Sequence, residues 1–191
     1  MKLTLQQYFN EFNKLPILLK IIPASPLTLL WPKFYPPVAQ EERMLSYSVA
    51  TGFCVALAVL LAFIFSGESR KVRTKLYIAL IAAFVIAFSG YLMLNDRYVF
   101  SVSFPGEGEQ RVSIGYARTT HSLTVSELQG KGDYELLTKF GASEEYIEKV
   151  WTRCSISTVR FLLFATYTVS LVCAAFLAGL VVYQSAATKK R

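Results

Sequence analysis

The chain has 191 residues, 53% of them hydrophobic, with a formal net charge of +7 and a mean hydropathy of +0.39. A soluble domain of this length spreads its apolar residues at amphipathic spacing, whereas here they gather into long runs, the pattern of a membrane protein. The positive excess sits beside those runs and not along one soluble face, which disfavours nucleic-acid binding and matches a membrane-orientation signal.

At the N-terminal end, Thr4 and Gln7 have the spacing of a capping box, so a helix is expected from Leu5. Leu5, Tyr8, Phe9, Phe12 and Leu15 recur at helical spacing, giving an amphipathic helix that lies at an interface or packs on a partner, with Pro16 marking its end or a kink. Residues 17–31 are apolar but carry Lys20, Pro23 and Pro26, which fit a re-entrant or surface-lying segment better than a fourth crossing. Trp31, Phe34 and Tyr35 have the composition of an interfacial aromatic belt.

Three uncharged runs follow. Met44 to Ser66 and Leu76 to Leu94 are joined by a short basic segment containing Arg70, Lys71, Arg73 and Lys75, which predicts an antiparallel helical hairpin. Phe161 to Tyr183 has no charge over 23 positions, enough at about 1.5 Å per residue to cross a ~30 Å hydrocarbon core. Its twelve Leu, Val and Phe residues favour insertion by about 0.3–0.6 kcal/mol each. The basic segment and the residues after Tyr183 lie on one side by parity, with seven basic residues against the single acid Glu68. Residues 96–160 hold eight basic and nine acidic residues, so the positive-inside rule puts the basic segment in the cytoplasm and 96–160 outside it.

Between the second and third runs, Tyr98, Phe100, Val102 and Phe104 alternate with Ser101 and Ser103. After a turn at 105–109, Val112, Ile114 and Tyr116 continue an apolar side, and the pair reads as a β-hairpin with one greasy face. Two strands alone are marginal in water. The expected cover is the helical region that follows, from the Thr124/Glu127 capping box through Leu136, Leu137 and Phe140. Ser143 is placed to cap a further helix, and the absence of Pro or Gly beyond it predicts one long helix from about Glu144 into the third run. The expected fold is therefore a membrane all-α bundle with a small α+β extramembrane domain. It has at least three transmembrane helices and an N-terminal interfacial or re-entrant segment, divided as 1–43, 44–95, 96–160 and 161–191.

Chemistry-bearing motifs are sparse. Cys54, Cys154 and Cys173 show no spacing for zinc or a disulfide framework. The single histidine, His121, follows Arg118 too closely to fit the Arg-to-His spacing of the HEPN ribonucleases, and HExxH, GxSxG and P-loop signatures are absent. No cofactor, metal or catalytic residue is expected, and the chain is read as a non-enzyme. Small residues recur at every fourth position, as Ser48, Gly52 and Ala56, then Ala79, Ala83 and Ala87, then Ala175 and Gly179. Such ridges let helices approach closely, either between subunits of an oligomer or within this chain. Thr166, Ser170 and Cys173 form a mildly polar stripe beside Tyr167, read as local hydrogen bonding or as the lining of a wet pathway.

These features point to a scaffold, anchor or sensor subunit of a homo- or hetero-oligomeric complex in a cell membrane, here a bacterial inner membrane. Its expected partners are the bilayer, other subunits through the hairpin face, and a cytosolic partner or anionic lipid at the basic segment. The competing readings are an oligomeric channel, such as the membrane arm of an anti-phage system, and a membrane enzyme; the last lacks convergent titratable groups.

Overall fold

A computed structural model of the chain describes Gln6 and residues 41–65, 69–104, 108–120, 131–140 and 143–188. The expectations for residues 1–40 (Gln6, which is helical, apart), the 105–107 turn, His121, the Thr124/Glu127 box and the last three residues fall outside that set. In order, the elements are α1 (Glu41–Phe65), α2 (Arg70–Tyr98), β1 (Val99–Phe104), β2 (Gly108–Ser113), α3 (Asp133–Phe140), α4 (Glu144–Val150) and α5 (Arg153–Thr188). The chain is mostly helical with one two-stranded antiparallel sheet.

Two helices are long and apolar enough to cross a membrane, over Lys71–Tyr98 and Arg153–Val181. Helix α1 has 25 residues, but its described apolar stretch, Gly52–Phe65, is shorter than the ~20 residues a bilayer crossing needs, so a third span is not established. The charged stretch expected as a loop is largely helix. Helix α2 starts at Arg70, so Arg70, Lys71, Arg73 and Lys75 occupy its first turns and no acid lies among them. Exposed Lys and Arg side chains do not stop a helix, and lysine and arginine are good helix formers. Their cost is at the macrodipole, whose positive end they crowd.

By internal contacts the chain separates into two compact units, one containing residues 45–89 and 166 onward, the other 90–165. In the first, Ala58 and Ala62 of α1 are buried, as are Leu171, Ala175, Phe176 and Leu180 of α5. Phe65 meets Phe176 with ring centroids 6.2 Å apart. In the second, the β-hairpin registers Phe100 with Val112 and Val102 with Gln110. Val102, Val112 and Ile114 enter one core with Leu136 and Leu137 of α3, Ile147 and Val150 of α4, Trp151, and Ile156 of α5; Tyr98, Phe100 and Tyr146 pack against it. Helices after the hairpin thus supply the cover that two strands need.

Four local expectations are corrected. Tyr98 is the last residue of α2 and not part of the strand, because the helix runs into β1 without a loop. The alternation stops after Ile114, where the strand pairing has ended, and Tyr116 lies 60% exposed in a bend. The long helix from Glu144 is interrupted: α4 ends at Val150, Trp151 is extended (φ −112°, ψ 148°), and α5 begins at Arg153. Ser143 precedes α4, but its hydroxyl makes no capping hydrogen bond; its carbonyl instead accepts from the N–H groups of Tyr146 and Ile147.

Ile114→Ala should cost about 2–4 kcal/mol, the range for truncating a fully buried aliphatic side chain. Tyr116→Ala should stay within about 0.5 kcal/mol, as for an exposed position. Denaturant unfolding in mild detergent, followed by tryptophan fluorescence, measures both; equal losses would contradict this placement.

Candidate functional site

The second unit turns on the segment 111–119, which leaves β2 and crosses between the end of α2 and the junction of α4 with α5. At its start the strand ladder continues one step past β2, with the Ile114 N–H donating to the Tyr98 carbonyl at 2.9 Å. The polar face of β2 reaches two helices. Arg111 Nη2 donates to Asn95 Oδ1 of α2 at 2.7 Å and bonds Tyr91 as well. Arg160 of α5 donates from Nε to the buried Ser113 hydroxyl at 3.0 Å.

Next along the segment, Gly115 lies against α5. A Cβ built there would overlap the Ser155 hydroxyl and come within 3.1 Å of the Ile156 backbone nitrogen, so only glycine allows this approach. Ser155, itself buried, donates to the carbonyls of Ala117 at 3.2 Å and Thr152 at 2.9 Å, a shared hydrogen bond of the kind common at helix starts.

Beyond Gly115, Arg118 and Trp151 form an antiparallel bridge. The Thr119 N–H donates to the Val150 carbonyl at 2.8 Å, and the Thr152 N–H donates to Ala117 at 2.9 Å. These bonds use backbone groups that would otherwise continue α4 into α5, and they are why the helix breaks without Gly or Pro. Arg118 is further held by Lys131 O at 2.9 Å and by an ion pair with Asp133 at 2.7 Å. That accounts for the residue beside His121 as an architectural pin. On the outer surface of the junction, Glu148 meets Arg153 at 2.8 Å. The hydrogen bond from Arg153 holds the Glu148 carboxyl below the usual glutamate range.

The residues singled out from sequence are dispersed. Tyr98, Phe100, Val102, Val112 and Ile114 do come together, but beneath the unit's own helices, so this face is not an open contact surface. Phe104 ends β1, and its side chain is not described. Of the small-residue ridges, Gly52, Ala56 and Ala79 are exposed, Ala83 is half-buried, and Ala87, Ala175 and Gly179 are buried; the side chain of Ser48 is not described. In α1 the buried pair is Ala58 and Ala62, one helical face round from the expected ridge. Which ridge is covered depends on the rotation of the helix against its neighbours, which spacing alone leaves open. In the polar stripe, Ser170 bonds back to the Thr166 carbonyl at 2.7 Å, and Tyr167 and Cys173 are buried. Lys71 and Lys75 are exposed and Arg73 half-buried. Among the described residues no group of three His, Cys, Asp or Glu is placed to hold a metal.

What sequence reading missed is the role of Gly115, Ser155, Ser113 and Arg160. A glycine just past a strand was the one available signal, since such residues often mark close backbone approach. No protein-family model, curated protein or solved structure matches this chain.

Gly115→Ala should destabilise the protein by about 1–3 kcal/mol, as for inserting a methyl group into a packed site. Adding Ser155→Ala should recover part of that loss, because the hydroxyl is the nearest obstacle. A thermal-melt double-mutant cycle reads the coupling, and simple additivity would contradict the close approach.

Proposed function

We propose that this protein is a non-enzymatic integral membrane subunit, a scaffold or sensor, that crosses a cell membrane at least three times and assembles with further membrane chains. The observation that carries the reading is the surface of α2. Only 11% of its most apolar stretch is buried. Ile78, Val85, Ile86 and Met93 are each more than half exposed. The core helix of a soluble protein is mostly covered, and monomers in water rarely expose apolar patches of this extent, so hydrocarbon is the natural solvent for this helix. Helix α5 is more enclosed, at 44%, as expected for a span packed among others.

In this reading α1 is the further span and pairs with α2 as the predicted hairpin. The basic start of α2 faces the cytoplasm, where anionic lipid offsets its unfavourable position at a helix N-terminus. Residues 96–160 then lie outside the cytoplasm. The second unit's fixed hydrogen bonds to the ends of α2 and α5 suit it to pass a change in helix position to a bound partner, which is what a sensor subunit requires. The channel reading gains nothing from the mild polar stripe, whose Ser170 hydroxyl is spent on its own helix.

Cys154 is exposed near the start of α5. In a Cys54→Ser/Cys173→Ser background, a membrane-impermeant maleimide should label it in intact cells, and the chain should stay in the membrane pellet through alkaline extraction. Labelling only after lysis would reverse the orientation, and release at high pH would defeat the membrane reading. Gly52 has open space around it, so Gly52→Leu should leave the fold intact. A smaller assembly in mild detergent would place Gly52 between subunits; an unchanged one would remove this ridge from the assembly contact.

A further inference from the structure

The two edges of the sheet differ. The Ile114 N–H donates to the Tyr98 carbonyl, and the ladder runs from there in register through Val99↔Ser113 to Phe104↔Gly108. Bonded and non-bonded pairs alternate in an antiparallel ladder, so Phe100, Val102 and Phe104 bond β2, while Val99, Ser101 and Ser103 turn their backbone N–H and C=O groups outward. Among the described residues none bonds these outward groups, and Ser101 and Ser103 are exposed. Exposed edges are usually blunted by charge, proline or a bulge. Strand β1, Val-Phe-Ser-Val-Ser-Phe, carries none of these, whereas β2 carries Glu109 and Arg111. The direction of the sheet is also defined. Strand β1 starts where α2 ends, yet Arg111, opposite Ser101, donates to Asn95 of α2 at 2.7 Å. A strand continuing the helix axis would set Arg111 about 14 Å beyond Asn95, farther than the two side chains reach, so the sheet turns across the end of α2.

We propose that β1 pairs edge to edge with β1 of a second copy of this chain, antiparallel, about a two-fold axis between the two Ser101 residues. This pairing rests on the membrane reading above and makes the assembling chain a copy of this one. In this register Ser101 lies opposite the partner's Ser101 and Val99 opposite the partner's Ser103, so every outward N–H and C=O group of both strands is used; a slip of two residues either way leaves some unmade. Phe100 comes opposite the partner's Val102 on the apolar side, an aromatic with a β-branched residue, and no charges meet. The same arrangement through β2 would set Arg111 against the partner's Arg111, like charges directly opposite. The two-fold axis of antiparallel strands stands perpendicular to their sheet. With the sheet across the end of α2, that axis runs along the helix and the bilayer normal, so both copies keep one orientation in the membrane. The hairpins then form one continuous sheet that joins the copies outside the cytoplasm.

The test uses the full chain in isolated membranes, in a C54S/C154S/C173S background, with copper–phenanthroline oxidation and non-reducing electrophoresis. S101C should form a disulfide-linked dimer, because residues opposite in a bonded pair lie about 5.5 Å apart at Cα, inside disulfide range. S103C should cross-link at least about tenfold less, since it sits about 13 Å along the strand from its counterpart. V99C/S103C should recover the dimer, as those positions meet. S101P removes an N–H used only between copies, and S101K sets two ammonium groups face to face without touching the backbone. Both should lower the mass of the assembly in mild detergent. No S101C dimer, equal cross-linking by S101C and S103C, or an unchanged mass for S101K would each overturn the proposal. Alkaline extraction of the same membranes reads integration separately. A chain that stays in the pellet without the S101C dimer defeats only the strand pairing, whereas a released chain defeats the membrane reading beneath it.

Discussion

The second unit is organised by the contact of Gly115 with Ser155. Because position 115 carries no side chain, the segment leaving β2 lies directly on the first turn of α5, and Ser155 bonds the Ala117 carbonyl from inside the helix. Every neighbouring arrangement follows from that approach. It brings Ala117 and Thr119 alongside Val150 and Thr152, and their hydrogen bonds end α4 and start α5 afresh at Arg153. It also places Ser113 beside Arg160 and delivers Ile114 and Trp151 to one core. A hairpin with no stability of its own becomes the member that ties two long helices together.

The two ends of the segment do different work. Toward β1, the hairpin grows from α2 without an intervening loop, so strand direction is set by the end of the helix. Toward α5, the attachment is side chain to backbone as well as backbone to backbone, at Ser155, Thr119 and Arg118. Neutral hydrogen bonds contribute only about 0.5–1.5 kcal/mol each, but the Ser155 and Arg118 bonds lie in a partly buried place where leaving one unmade costs more than making it gains, whereas the Thr119 hydroxyl bond is exposed. The Glu148–Arg153 pair on the outer surface adds little by comparison, because solvent screens it.

The parts of this architecture legible in the sequence are those written in local pattern. Uncharged runs marked α1, α2 and α5, and the Ser101/Ser103 alternation marked β1, because burial against hydrocarbon or a core acts on neighbouring residues in order. The break at Trp151 was hidden, since it depends on a bridge to Arg118 that is 33 residues away. Tyr116 looked like the next apolar residue of a strand that had in fact ended, and pattern carries no record of where pairing stops. Basic residues at 70–75 looked like a loop through their charge, although charge does not terminate a helix. The hydrogen bond from Arg160 of α5 to Ser113 of β2 joins residues 47 apart, so no window of sequence contains it.

The central claim is that α2 and α5 leave a bilayer at the level fixed by segment 111–119. Nitroxide labels introduced singly at Met93, Asp96, Ser157 and Phe161 of the reconstituted protein test it through their collision rates with oxygen and with a water-soluble nickel chelate. Met93 and Phe161 should favour oxygen, as sites in hydrocarbon do, while Asp96 and Ser157 should favour nickel. Nickel access at Met93 and Phe161 equal to that at Asp96 and Ser157 would contradict the account.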